Sequence, residues 1–150
     1  MRLAGAHLTR SEEETATLAR ALGASLPEGS WVLLDGPLGA GKTAFVRGLA
    51  EGLGVDPRLV HSPTFTLVSE YAGGRGLVHV DLYRIGEPGE LDELGLQDLR
   101  DSPVVVAVEW ADKLPAGLAT GGCRVRIQVI SESERRIVIG DVQMSAQSIP

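Results

Sequence analysis

The chain of 150 residues is 43% hydrophobic and reads as a single domain, long enough to bury its own core. A formal charge of −6 argues against a surface built to grip a polyanion, because non-specific nucleic-acid affinity comes mainly from Lys and Arg neutralising phosphates, and leaves room only for a local basic patch. The single cysteine, Cys123, excludes an intrachain disulfide, and neither a charged-then-apolar leader nor an apolar run of about 18 residues is present, so the expectation is a soluble, cytoplasmic protein with no membrane span.

Taken in chain order, Ser11-Glu12-Glu13-Glu14 fits a capping box, and Leu18, Ala19 and Leu22 follow at helical spacing, which predicts a first helix over 12–23. The apolar run Trp31-Val32-Leu33-Leu34 predicts a strand. Directly after it, Gly36-Pro37-Leu38-Gly39-Ala40-Gly41-Lys42-Thr43 matches the phosphate-binding pattern GxxxxGK[ST]. A helix is predicted from 42 to 53, with Phe45, Val46, Leu49 and Leu53 on one face and Gly54 as its stop. That arrangement aims free backbone N–H groups and the positive end of a helix dipole at one spot. Lys42 then reaches the β- and γ-phosphates as a mobile point charge, and the Thr43 hydroxyl ligates the Mg²⁺ that bridges them. Lys42 is one of only two lysines among 14 basic side chains, the other being Lys113.

His61-Ser62-Pro63-Thr64-Phe65 is a proline-marked connection into a predicted strand over 66–71, and residues 72–75 turn the chain into a returning strand over 76–81 that ends on Asp81. A polar helical segment over 87–99 is opened by Pro88 and broken near Gly95. Val104-Val105-Val106-Ala107-Val108 is the strongest buried-strand signal, a β-branched run of the kind found in sheets covered on both faces, and it ends at Glu109-Trp110. Strands over 124–130 and 136–139, joined by a turn at 131–134, predict a two-stranded edge hairpin, and Cys123 before it reads as a small core or edge residue rather than a reactive thiol. The last ten residues are polar and read as a tail. The expected architecture is a three-layer α/β fold with a mixed central sheet and edge hairpins, a domain over 1–140 and a tail over 141–150.

Phosphate binding alone hydrolyses nothing; phosphoryl transfer needs metal positioning, charge neutralisation and an oriented nucleophile. Asp81 and Glu109 each end an apolar strand at the sheet edge where ligands of open α/β proteins collect. Either suits Mg²⁺, leaving the other to orient water, and the sequence does not choose between them. Thr64 and Thr66, which follow Pro63 in a loop, read either as sensors of a γ-phosphate or as plain loop residues. Trp110 reads as a packing aromatic and His79 as a structural histidine. No NKxD-like tetrapeptide for guanine occurs, so adenine is the expected base.

The stretches Leu38-Gly39-Ala40-Gly41-Lys42-Thr43, Ser62-Pro63-Thr64-Phe65-Thr66-Leu67-Val68 with Glu70-Tyr71, Asp81-Leu82-Tyr83-Arg84, Glu93-Leu94-Gly95 and Val108-Glu109-Trp110 follow one another in the chain. Together they resemble one family, the TsaE (YjeE) ATPases of bacterial tRNA threonylcarbamoyladenosine biosynthesis. The resemblance implies that Lys42 and Thr43 hold triphosphate and Mg²⁺, that Glu109 is a metal-side acid, that Asp81 is needed for hydrolysis and that Thr64 belongs to a switch-like loop. It further implies two protein partners, TsaB and TsaD, which transfer threonylcarbamoyl to A37 of tRNAs reading ANN codons. ATP hydrolysis supports their repeated turnover and is slow without them, and tRNA is met only through the complex. Adenine and ribose contacts are assigned to the region of residues 9–15, including Ser11, and to Arg136, with Trp110 beside the nucleotide. Two positions depart from the family pattern. Pro37 stands where Asp is common, and Ala111-Asp112 where Pro or Gly followed by Glu or Gln is frequent; Pro37 lacks an N–H and so bears on hydrolysis rate more than on binding. Two other readings compete: a small-molecule kinase, for which Arg84 and Arg100 are too few to build a lid, and a nucleotide-sensing module without turnover. The oligomeric state is not legible from the residues.

Overall fold

A computed structural model describes residues 3–61, 67–87 and 89–140. Its centre is a seven-stranded sheet built from β1 (Gly5–Thr9), β2 (Trp31–Asp35), β3 (Val68–Tyr71), β4 (Leu77–Asp81), β5 (Val105–Glu109), β6 (Cys123–Val129) and β7 (Arg135–Ile139). The spatial order is β1-β7-β6-β2-β5-β4-β3. The four middle strands β6, β2, β5 and β4 run parallel, while β3, β7 and β1 are antiparallel additions, so the sheet is mixed as expected.

The parallel strands are apolar at nearly every position because both faces are covered. On one face, Val32, Leu34, Val105, Ala107, Leu77, Val125 and Ile127 pack with helices α1 (Glu12–Ser25) and α2 (Lys42–Gly52). On the other, Trp31, Leu33, Val78, Val80, Val106 and Val108 pack against the short helices α3 (Gly89–Asp92), α4 (Leu96–Arg100) and α5 (Ala116–Ala119). Ser11 caps α1 by accepting from Glu14 N at 3.1 Å, and the Glu14 carboxylate reaches back to Arg10 N at 2.9 Å. Gly95, at φ 69°, supplies the left-handed residue that separates α3 from α4, which is the break anticipated there.

Three features differ from the sequence expectations. The strand β1 was not anticipated, since in Gly5-Ala6-His7-Leu8-Thr9 only Thr9 is buried and no apolar alternation marks it. Because β1 pairs outside β7, the β6–β7 hairpin lies one strand inside the edge, and β3 with β4 forms the hairpin that ends the sheet. Helix α5 is a four-residue turn of small residues, too short to show a period. Thr64, Thr66, Pro88 and the expected tail at 141–150 lie outside the described residues.

Helices α1 and α2 touch through glycines. A Cβ at Gly48 would sit 2.6 Å from Ala16 O and 2.8 Å from Ala19 Cβ, so backbone would have to give way. Gly48→Val is expected to destabilise the protein by about 1–3 kcal/mol or more, read as a lower urea midpoint at unchanged slope.

Candidate functional site

The phosphate loop leaves β2 at Asp35 and closes where Gly41, at φ 102°, starts α2. Gly39 also has a positive φ of 79°, a conformation L side chains rarely adopt. No side chain caps α2, so its first N–H groups are left for a ligand. The loop is pinned from outside. Arg135 on β7 donates from Nε to Ala40 O at 2.9 Å and from Nη2 to Gly39 O at 3.4 Å, and its Nη1 donates to Ser131 O at 2.8 Å in the β6–β7 turn. Arg135→Ala strips these charge-assisted bonds from the loop carbonyls. It should lower stability by roughly 1–3 kcal/mol and weaken nucleotide affinity, readable by denaturant titration and by calorimetric binding.

The Lys42 side chain, 5% exposed, folds back onto its own loop. Its ammonium donates to the Gly36 and Pro37 carbonyls and stands 3.8 Å from the centre of the Trp110 ring. Burial lowers its pKa from the ordinary lysine value, and the negative charges of Glu109, Asp81, Asp35 and Asp112 oppose that shift. Trp110 itself is held at φ 61°, the one described non-glycine residue with a positive φ, directly after Glu109. Its ring also meets Tyr83, at 5.0 Å between centroids. Strain of this kind persists only where surrounding contacts enforce it.

The carboxylates come from neighbouring strands. The parallel register sets Leu34 opposite Glu109 and Glu109 opposite Asp81, so both acids end their strands in one row at the C-terminal edge of the sheet. Strand alternation puts them on the face that carries α2. Glu109, 3% exposed, accepts from Thr43 Oγ1 at 3.2 Å through Oε2. The same oxygen accepts from His79 Nε2 at 2.6 Å. Asp81, 8% exposed, accepts from Tyr83 N at 2.9 Å, an Asx-type turn that also sets Tyr83 at the mouth of the site. Lys113 fixes that turn from below by donating to Tyr83 O at 2.6 Å and Ile85 O at 3.0 Å.

A cleft of about 400 Å³ joins Lys42, Thr43, Asp81, Glu109, Trp110 and Arg84. Its donor set, a threonine hydroxyl beside a carboxylate, consists of hard oxygens of the kind Mg²⁺ takes. A second recess of about 580 Å³ adjoins the loop, between Ser11, the N-cap of α1, Thr15, Gly39–Gly41 and Arg135. Thus Gly36–Thr43, Asp81, Glu109 and Trp110 converge, and Ser11 flanks the second recess. Arg136 does not join them: it is exposed and donates to Gln128 Oε1 at 2.9 Å. Its neighbour Arg135 faces the loop instead, because Arg135 shares the inward face with Ile137 and Ile139 while Arg136 points the other way. That alternation was readable in the sequence. His79, taken as purely structural, is in contact with a site carboxylate; its place two residues before Asp81 on one strand face is the signal that could have found it.

A family model described as "Threonylcarbamoyl adenosine biosynthesis protein TsaE" matches residues 9–138. The chain is 36% identical to the tRNA threonylcarbamoyladenosine biosynthesis protein TsaE of Treponema pallidum, covering 88% of this chain and 97% of that protein. It is 39% identical to the protein of the same name from Bacillus subtilis, covering 86% and 80%. Among solved structures it is similar to Bacillus subtilis YdiB, with a TM-score of 0.72 and 32% identity over 95% of this chain and 91% of that one. Among the described residues no helix is long and apolar enough to cross a membrane.

Proposed function

Because the chain belongs to the TsaE family of threonylcarbamoyladenosine biosynthesis proteins, we propose that it is a P-loop ATPase whose hydrolysis of ATP supports repeated turnover of a TsaB–TsaD complex. That complex is the one expected to form N6-threonylcarbamoyladenosine at A37 of tRNAs reading ANN codons. The observation carrying the reading is the meeting of the Thr43 hydroxyl and the Glu109 carboxylate at 3.2 Å, with Asp81 beside Glu109 and Lys42 on the same loop.

In this reading the N–H groups of the loop and of the first turn of α2 receive the phosphates. Lys42 exchanges two backbone carbonyls and a ring face for β- and γ-phosphate oxygens. Thr43 and Glu109 would hold Mg²⁺, which would supply positive charge against the phosphates. Asp81 orients water for in-line attack on the γ-phosphorus; the bond to the leaving ADP oxygen breaks, and inorganic phosphate departs. The recess at Ser11 and Arg135 takes the adenosine end, with Arg135 in the place expected of Arg136. A net charge of −6 suits a subunit that leaves RNA contact to its partners.

The test is phosphate release from Mg·ATP by the purified protein, alone and with TsaB and TsaD of the same organism. Release that rises when both partners are present is the expected result. An unchanged rate with no complex formed would overturn the reading in favour of a kinase or a nucleotide sensor.

A further inference from the structure

The imidazole of His79 is fully buried, and its only hydrogen bond among the described residues is the 2.6 Å contact from Nε2 to Glu109 Oε2. Its Nδ1 is buried without a hydrogen-bond partner among the described residues. A buried ring with one unmet nitrogen is a poor choice for filling space, since an apolar side chain of similar size carries no such cost. What this residue contributes is therefore the bond to Glu109. The register explains how it reaches. His79 stands opposite Ala107 on β5 and Glu109 two residues further on, so the pair is diagonal on one face, and the small Ala107 leaves the space across which the ring leans.

A carboxylate only accepts, so Nε2 carries the hydrogen of this bond. Glu109 Oε2 then takes two donors, His79 and Thr43, while Oε1 has no hydrogen bond among the described residues. We infer that His79 is a positioning residue for the metal site: it locks the Glu109 side chain in the rotamer that presents the carboxylate to a divalent cation beside Thr43. The inference rests on the reading of Glu109 as a metal-side acid. Groups that orient a metal ligand in this way typically change metal affinity by about 10–100-fold when removed.

The experiment measures ATP affinity calorimetrically, in excess Mg²⁺ and in EDTA, for the wild type, His79→Leu, His79→Gln, Glu109→Gln and His79→Leu combined with Glu109→Gln. In His79→Leu the gain in affinity that Mg²⁺ brings should shrink about tenfold or more, with affinity in EDTA unchanged. His79→Gln, whose amide nitrogen stands near the position of Nε2, should keep most of the gain, and the double variant should be no worse than Glu109→Gln alone. Should His79→Leu not fold, His79→Asn, whose shorter amide does not span to Glu109, replaces it. Equal losses with and without metal, or additive effects in the double variant, would overturn the inference and leave His79 a packing residue. Full metal dependence in Glu109→Gln would instead overturn the underlying assignment of Glu109, so the two failures are distinguishable.

Discussion

Lys42→Ala is expected to lower the affinity for Mg·ATP by about 100-fold or more while leaving the fold intact. Lys42 is almost fully buried, yet among the described residues its ammonium meets only two loop carbonyls and the face of Trp110. Phosphate oxygens replace these neutral acceptors with anionic ones; Lys42→Ala forfeits bonds between charged groups worth about 1.5–3 kcal/mol each, and two such bonds account for a factor of that size. Isothermal calorimetry checks it, and an affinity within tenfold of the wild type would remove Lys42 from the triphosphate site. Stability should move little or upward, because burial disfavours the charged form in the folded state. The sign has a pH signature. With its folded pKa lowered, the unfolded chain binds the extra proton between that value and the ordinary 10.5, so the wild type gains stability relative to Lys42→Met as pH rises through that window. Paired denaturation curves at neutral and alkaline pH read this difference.

Asp81→Asn is expected to keep nucleotide binding within a few-fold of the wild type and to slow hydrolysis by about 10²–10⁴-fold, the range typical of losing a positioned acid–base group. The substitution is conservative for structure. Asn retains an oxygen that can accept from Tyr83 N, so the turn after β4 and the placement of Tyr83 survive. What it loses is the negative charge to which the proposed function assigns the orienting of water. Affinity by calorimetry and single-turnover phosphate release measure the two effects separately. A parallel loss of both would mean that Asp81 belongs to the binding set and that its division of labour with Glu109 is wrong.

Much of this site was legible in the residues because each part rests on a local rule. The strand–loop–helix around Gly36–Thr43 carries its glycines, its lysine and its helical period within 18 residues of chain. The run Val104–Val108 announces a strand covered on both sides, and Asp81 and Glu109 follow from their places at strand ends. The structure shifts strand bounds by only a residue or two. What escaped depends on pairings between distant segments. The contact of His79 with Glu109 spans 30 residues and needs the parallel register of β4 and β5. Arg135 reaches a loop 95 residues earlier, and its distinction from Arg136 turns on which face of β7 each occupies. The strand β1 has so little buried apolar surface that only its ladder with β7 makes it a strand.

The pairing of β1 with β7 joins the first and last strands, with Gly5 opposite Ile139 and Thr9 opposite Arg135. A ribosome delivers residues from the N-terminal end, so β1 must wait for nearly the whole domain to emerge before it has a neighbour to bind. The phosphate loop waits as well, since the guanidinium that pins Gly39 and Ala40 arrives on that same last strand. A nascent chain stopped short of residue 135 already holds every glycine of the loop, with Lys42 and Thr43, but lacks the clasp that sets them. The setting of the loop and the closure of the sheet therefore both await the strand that carries Arg135.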